Sequence, residues 1–204
     1  TNKNAELFGS WPDIRDVVVS PNGKYVGVVQ TVNRQGIVKI LDLDNSQLIS
    51  IHDFGEKGSI SGFFWATNER LVFSVTRPST RTTENWGTGQ LVAANIDGKR
   101  TRLIAGWGTD ENRKGVHNRA KTDPNRGAYV VHTLPEDKNH IIVNFFDNAG
   151  FNDLAKLNIN NGKVTYITGS PVIYPSWVLN SNGDLIGVWT ADLDNTAEIY
   201  LYKP

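Results

Sequence analysis

The stretch IRDVVVSPNGKYVGVVQ, residues 14–30, places two apolar, β-branched runs on either side of a Ser-Pro-Asn-Gly segment. Such runs favour β-strands, and Pro followed by Asn-Gly is typical of a tight chain reversal. Two further runs, Val38–Leu43 and Leu48–Phe54, follow across a second turn at Asp44-Asn45-Ser46. The first 54 residues therefore predict four short antiparallel strands.

The same alternation of strands and turns recurs along the chain. The turns at Asn22, Asn68, Lys138 and Asn182 hold equivalent places and are separated by 46, 70 and 44 residues. Two of these steps match the period of about 40–50 residues of a four-stranded propeller blade. The long step contains an insertion at 105–127.

This period predicts an all-β fold, a partial β-propeller of four-stranded antiparallel blades with about three and a half blades in residues 1–204. The predicted blades are about 14–54, 60–104, 128–168 and 176–204. A β-sandwich is the alternative, but it gives no reason for a four-strand period. Because a closed propeller needs at least four complete blades, and because Thr1 is not an initiator Met, we expect the chain to be a fragment.

The composition excludes several classes of function. The 204 residues carry 21 basic and 21 acidic side chains, so a globally basic nucleic-acid binder is not favoured. The absence of Cys excludes disulfides, thiolate catalysis and Cys-ligated metals. No apolar run approaches the ~18 residues that span a bilayer, so we expect no membrane partner. We expect a periplasmic or secreted location, although the lack of Cys leaves the cytoplasm open.

Several motifs resemble those of known propellers. Residues Ser20–Val26 resemble the Ser-Pro-Asp-Gly-Lys-aromatic-aliphatic signature of TolB-like blades. The stretch Trp65–Phe73 resembles the second-blade hairpin of bacterial prolyl oligopeptidase family members, particularly the acylaminoacyl-peptidase-like ones. The same order continues in three further segments, at 95–98, 134–137 and 157–163. The sequence differs from the family pattern at Asn180–Asp184, where relatives often show Asp and a basic residue in place of Asn182 and Asp184.

In that family the N-terminal propeller caps a C-terminal α/β-hydrolase domain with a Ser-Asp-His triad. The resemblance implies a non-catalytic N-terminal domain of a serine peptidase that gates peptide access to this hydrolase domain, which is absent from the chain. The implied partners are the hydrolase domain and the peptide substrate, with no cofactor. A stand-alone TolB-like module for protein–protein interaction is the alternative, and a sugar-binding propeller is a third possibility.

No residue pattern predicts a catalytic, cofactor or metal site. The nearest approach to a nucleophile elbow, Gly58–Gly62, puts its first Gly three residues before Ser61 instead of two. Asp42–Asn45 and Asp192–Asn195 lack the Gly and Glu of a calcium loop and are interpreted as turns. Gly87–Gly89 is interpreted as a flexible loop. The four histidines show no metal-binding spacing: His52, His117, His132 and His140.

One charge feature stands out. Ten basic and five acidic residues lie between Arg77 and Arg126, and a positive patch there could steer acidic peptides or contact the missing domain. A solvated insertion with basic strand ends is the alternative. The candidate partner or substrate contacts are Arg113, Lys114, Arg119, Lys121 and Arg126.

Two expectations concern blade packing. Trp65 and Trp177 are interpreted as inter-blade core residues at matching strand positions. Because the end blades lack neighbours, we expect uncovered apolar residues at Val17–Val19 and at Ile186, Val188 and Trp189. The fragment is therefore expected to self-associate.

Overall fold

The computed structural model describes residues 13–55, 58–78, 85–106, 126–191 and 197–202. The described residues form strands joined by turns, with no α-helix among them. The strands are β1 (Ile14–Val19), β2 (Tyr25–Val32), β3 (Gln35–Asp42), β4 (Leu48–His52), β5 (Ser59–Trp65), β6 (Arg70–Pro78), β7 (Asn85–Asn95), β8 (Arg102–Ala105), β9 (Gly127–Thr133), β10 (His140–Phe146), β11 (Asn152–Asn158), β12 (Val164–Gly169), β13 (Ser176–Leu179), β14 (Leu185–Ala191) and β15 (Ala197–Leu201). This part of the chain contains no helix with the length and apolar content needed to cross a bilayer.

The strands form four separate antiparallel sheets in chain order. The first three sheets have four strands each, in the orders β1-β2-β3-β4, β5-β6-β7-β8 and β9-β10-β11-β12, and the last is β13-β14-β15. Within each sheet, every strand pairs with the next one in the sequence, and each sheet packs on the following sheet. The predicted all-β partial propeller is therefore confirmed. We call the sheets blades 1 to 4; they form an open array.

Three apolar clusters hold consecutive blades together. Between blades 1 and 2, the buried side chains of Val29 and Ile40 meet Phe63 and Phe73. The cluster between blades 2 and 3 includes Val72, Leu91, Ile104, Ile141, Val143 and Leu157. Between blades 3 and 4 it includes Ile142, Leu154, Trp177, Leu179 and Leu185. Because alternate residues of a strand point to opposite faces, each inner blade buries both of its faces.

The array has two rims. At the hairpin rim lie the turns that join the first to the second strand and the third to the fourth strand of each blade. At the connection rim lie the turns between second and third strands and the links from one blade to the next. Opposite rims are about 20 Å apart, since a strand of seven residues rises about 3.3 Å per residue.

Gly36 in β3 marks a close approach between blades 1 and 2. Its N–H donates to Ser59 Oγ at 2.7 Å, and a Cβ on this residue would lie 1.9 Å from the carbonyl oxygen of Ile60. We expect Gly36→Ala to lower the free energy of unfolding by about 2 kcal/mol, because the backbone of blade 2 must move. Urea denaturation measures this. Gly62→Ala is the control, since nothing lies within 4 Å of its added Cβ; equal losses in both variants would contradict the prediction.

Two details differ from the sequence predictions. Gly87–Gly89 lie inside β7 and not in a flexible loop: Thr88 is buried, and its Oγ1 donates to Val75 O at 2.7 Å. A register shift between Val75 and Thr76 accommodates the glycines within the β6–β7 hairpin. Two residues expected to be uncovered are not. Val188 is only 1% exposed, because it pairs with Trp177 on the side of blade 4 that faces blade 3. Val18 packs against the apolar cluster between blades 1 and 2.

Candidate binding surfaces at the two rims

The basic window between Arg77 and Arg126 is divided between the two rims. Arg77 lies near the end of β6, and Arg126 precedes the start of β9, so both lie at the connection rim. Lys99 and Arg100 lie in the β7–β8 turn at the hairpin rim. The described cations therefore do not form a single patch. Four predicted contacts lie outside the described residues: Arg113, Lys114, Arg119 and Lys121.

Arg126 is buried within blade 3. Its Nη1 donates to Asp153 Oδ2, and its Nη2 donates to the carbonyl oxygens of Phe145 at 3.2 Å and Phe151 at 3.4 Å. Burial lowers the pKa of Arg126, but the hydrogen bond and charge of Asp153 outweigh that effect and raise it overall. These contacts give Arg126 a role in joining β9 to β11, and its role as a partner contact stays a prediction.

A groove runs along the hairpin rim, formed by two adjoining cavities. A cavity of about 430 Å³ lies between the turns of blades 1, 2 and 3, and one of about 660 Å³ lies between those of blades 3 and 4. Both are lined by Pro135 and Lys138 of the β9–β10 turn. Glu69, Asp137 and Lys156 add charges of both signs. The described residues that line the groove hold no cluster of one charge.

The turns that line this groove also connect neighbouring blades. The backbone N–H of Asn22 donates to Asn68 Oδ1 at 3.0 Å, which joins the first turns of blades 1 and 2. Trp65 Nε1 donates to Val18 O at 3.1 Å across the same interface. Within the first turn, Ser20 Oγ donates to Asn22 Oδ1 at 2.8 Å and accepts from the N–H of Tyr25. The motif residues therefore form hydrogen bonds that connect neighbouring blades.

Trp177 repeats this kind of contact between blades 3 and 4. Its Nε1 donates at 2.6 Å to Asn144 Oδ1, and the Asn144 amide donates at 2.7 Å to Asn152 Oδ1. Both tryptophans lie in the first strand of their blade and contact the preceding blade, as the inter-blade interpretation requires. Their positions do not match, however: Trp65 is the last residue of β5, whereas Trp177 lies near the start of β13.

Arg70 is a buried cation that the sequence interpretation missed. Its Nε and Nη2 donate to Ile159 O at 3.0 and 2.8 Å, and its Nη1 donates to Asn95 Oδ1 at 2.7 Å. Burial, followed by the charges of Arg100 and Arg102, lowers its pKa. The side chain thus joins the start of β6 to the last turn of blade 3, and it lines the smaller cavity.

The side chains of Ser61 and His140 do not pair with each other. Ser61 Oγ donates to Ser74 O at 3.1 Å within its own sheet. His140 Nδ1 lies 3.0 Å from Asp137 Oδ2, but its Nε2 faces the Asn158 amide at 3.3 Å, so no hydroxyl occupies the nucleophile position. Within the described ranges no three His, Asp or Glu side chains gather as metal ligands. His117 lies outside these ranges, and His132 lies in β9.

The calcium-loop candidate at residues 42–45 is a turn, as interpreted. The Asp42 carboxylate accepts a hydrogen bond from the backbone N–H of Asp44 at 2.9 Å. Asn45 Oδ1 accepts a hydrogen bond from the backbone N–H of Gln47 at 2.9 Å. Such side-chain to backbone bonds stabilise tight turns. The second candidate, Asp192–Asn195, lies outside the described residues.

No protein-family model matches the chain, and no curated protein matches it. Three solved structures are similar to it at low identity. A prolyl endopeptidase matches over 94% of this chain and 28% of its own length, with 13% identity and a TM-score of 0.49. TolB from Acinetobacter baumannii matches over 94% and 43%, with 13% identity and a TM-score of 0.48. The periplasmic gluconolactonase PpgL of Pseudomonas aeruginosa matches over 92% and 66%, with 13% identity and a TM-score of 0.42.

The chain thus spans 28% of the length of the prolyl endopeptidase and 43% of TolB. With TM-scores below 0.5, these likenesses transfer no activity, ligand or residue role. The sheet topology of the chain itself is that of four successive propeller blades.

Proposed function

We propose that the chain is the non-catalytic N-terminal propeller domain of a prolyl oligopeptidase family serine peptidase, where it gates peptide access to an α/β-hydrolase domain. The observation that carries the proposal is the location of the family-like motifs. Ser20–Val26 and Trp65–Phe73 lie in the first hairpins of consecutive blades, and the bond from Asn22 N–H to Asn68 Oδ1 joins them at the hairpin rim. Their order along the chain is that of the family resemblance.

The proposed gate is the connection rim. The link between β8 and β9 starts and ends there, and it carries the four basic residues Arg113, Lys114, Arg119 and Lys121. Residues 107–125 carry these four basic and three acidic side chains, a net excess of one positive charge, and positive charge attracts acidic peptides and raises their encounter rate. A periplasmic or secreted location is part of the proposal, and cell fractionation tests it.

Charge reversal tests the gate in the full gene product. Replacing all four residues by Glu is expected to lower kcat/KM for acidic peptides about tenfold, while a short neutral chromogenic substrate is hydrolysed at the native rate. The matched control is Lys99→Glu with Arg100→Glu, which removes cations from the opposite rim. Equal effects on both substrates, or equal effects of the two variants on acidic peptides, would refute a gate at this rim.

The 204-residue chain itself is expected to be inactive. It contains no Gly-Xaa-Ser-Xaa-Gly elbow, and Ser61 Oγ is bonded to a strand carbonyl rather than to a histidine. Incubation with acyl-peptide and proline-containing chromogenic substrates should give no turnover. Turnover that a fluorophosphonate inhibits, and that Ser61→Ala abolishes, would overturn this expectation.

The second candidate function is a stand-alone TolB-like module for protein–protein interaction. The groove at the hairpin rim favours it, because its two cavities and mixed charges suit an extended polypeptide. The coding sequence beyond Pro204 separates the two functions. A Gly-Xaa-Ser-Xaa-Gly motif about 250 or more residues downstream supports the peptidase domain, and its absence supports the stand-alone module.

A further inference from the structure

Three arginines lie close together at the hairpin rim, where the β7–β8 turn of blade 2 meets the β11–β12 turn of blade 3. Arg70 Nη2 donates to Ile159 O at 2.8 Å, and Arg102 Nη1 donates to Asn160 O at 3.0 Å. The two acceptors belong to adjacent peptide units, and consecutive Cα atoms are only about 3.8 Å apart, so the two guanidinium groups are neighbours. Arg100 is the third member, because its carbonyl oxygen lies 3.5 Å from Arg70 Nη2. We call these three residues the arginine cluster.

The positive charges of the arginine cluster are not balanced. Among the described residues, no Asp or Glu side chain forms an ion pair with Arg70, Arg100 or Arg102. The adjacent Lys99 differs, since its Nζ lies 3.2 Å from Asp97 Oδ2. Burial, followed by the charges of Arg100 and Arg102, lowers the pKa of Arg70, so the like charges repel one another. An anion bound among them would remove this repulsion.

Two members of the arginine cluster have unused hydrogen-bond donors. The described contacts of the half-buried Arg102 use its Nη1 alone, which leaves Nε and Nη2. The N–H bonds of these two nitrogens are parallel, which is the geometry that binds two oxygens of one oxyanion. Arg100 is exposed, and its side chain makes no hydrogen bond to another described residue. Arg70 instead donates to Ile159 O and Asn95 Oδ1, so it contributes mainly its charge.

The two turns at the arginine cluster are fixed against each other. A Cβ on Gly162 would lie 2.8 Å from Ile104 O, so the β11–β12 turn packs directly on β8. Arg70 also joins the start of β6 to this turn, through its two bonds to Ile159 O. The arginines therefore need little rearrangement to receive a ligand, and a preorganised site loses less affinity to ordering.

We propose that the arginine cluster binds a phosphate dianion, with Arg100 and Arg102 as its hydrogen-bond donors and Arg70 as a buried positive charge beside it. Two guanidinium groups match the several oxygens and the double charge of phosphate, whereas a carboxylate offers two oxygens and a single charge. The site goes beyond the proposed function and does not depend on it, because it lies at the rim opposite the proposed gate.

An NMR titration of the ¹⁵N-labelled chain with sodium phosphate, at about pH 8 and constant ionic strength, tests the site. The backbone amide signals of residues 99–102 and 159–162 are expected to shift together, with a dissociation constant on the order of 1 mM. Sodium acetate at the same ionic strength is expected to bind at least about tenfold more weakly, because it carries half the charge.

Two neighbouring cations of the same turn provide a matched pair of variants. Arg100→Gln is expected to raise the dissociation constant for phosphate about tenfold, since it removes a charge-assisted donor. Lys99→Gln removes the same charge one residue away, but Asp97 already balances that charge, so a change of less than about threefold is expected. Arg100 is exposed and Lys99 contacts only its own turn, so circular dichroism should show a folded sheet in both variants.

Three outcomes would overturn the proposal. Shifts that never saturate would mean that no site exists. An equal loss of affinity in Arg100→Gln and Lys99→Gln would mean that phosphate responds only to the net charge of the rim. Acetate that binds as tightly as phosphate would mean that the cluster takes carboxylates.

Phenyl phosphate distinguishes two sources of the same dianion. Binding equal to or weaker than that of inorganic phosphate supports a site for the free ion. Tighter binding supports a site for a phosphate group carried on a larger molecule.

Discussion

Replacing Arg70 by methionine is expected to lower the free energy of unfolding by about 3 kcal/mol. The substitution keeps an unbranched apolar stem but removes the donors to Ile159 O and Asn95 Oδ1. Each buried acceptor left without a partner costs about 1–3 kcal/mol. The substitution also removes the desolvation penalty of a buried cation, whose pKa is lowered by burial, and this offsets part of the loss in stability. The lost hydrogen bonds outweigh this gain because the guanidinium serves two acceptors on different blades.

Urea denaturation of Arg70→Met measures the loss, and Arg102→Met provides the comparison. Arg102 also reaches from blade 2 to blade 3, but it is only half-buried, and the structure gives its Nη1 one bond, to Asn160 O at 3.0 Å. We expect about 1 kcal/mol for this variant. If Arg70→Met is no less stable than Arg102→Met, Arg70 does not hold the two blades together.

Acidification from pH 7.5 to 4.5 is expected to destabilise the chain by about 2 kcal/mol through His52. Burial lowers the pKa of His52 from 6.5 to about 4, against smaller raising effects of the backbone of Ile96 and the charge of Asp97. The ring packs on Phe73 with 4.8 Å between ring centroids, and its Nε2 lies 3.2 Å from Ser50 Oγ. The neutral form therefore fits this interface, and the protonated form does not.

The sign of the effect follows from proton binding. Between pH 6.5 and about 4 the unfolded chain binds a proton at His52 that the folded chain does not, so stability falls as the pH falls through this window. The carboxylates of Asp97 and Asp137, whose pKa values are lowered, lose their contribution mainly below it. His52→Gln isolates the histidine: the difference in unfolding free energy between native and variant chains should change by about 2 kcal/mol between pH 7.5 and 4.5. A constant difference would contradict the assignment.

The strands and their turns could be predicted because their signals are local. The segments with Asn161-Gly162 and Asp97-Gly98 form turns with positive φ at the glycine alone, so the turns occur where such pairs predict them but not as the two-residue type with positive φ at both central residues. The sequence predicts too short a β7, because the signal of its glycines is also local. Gly87 and Gly89 resemble a loop when only neighbours in sequence are considered, whereas the pairing with Thr76 and Val75 keeps this segment in a strand.

The hydrogen bonds between blades could not be predicted from local patterns. Arg70 and Ile159 are 89 residues apart, and no periodicity links them. The described cations of the basic window lie at both rims for a related reason. A count of charges along the sequence combines residues of both rims, because β7 runs from one rim to the other between Arg77 and Lys99. Asp137 and His140 are three residues apart, so their contact is local in the sequence. The contact of the other ring nitrogen, His140 Nε2, with the Asn158 amide is not local and is seen only in the structure.

The indole protons of Trp65 and Trp177 make two inter-blade contacts observable one at a time. Trp65 donates across the interface of blades 1 and 2, and Trp177 across that of blades 3 and 4. Each hydrogen bond slows solvent exchange of its indole proton until that contact opens, so the two exchange rates report separate opening events. In an array where each blade contacts only its neighbours, opening can begin at either end. Equal rates for the two indole protons would mean that the blades open together, and unequal rates would identify the end that opens first.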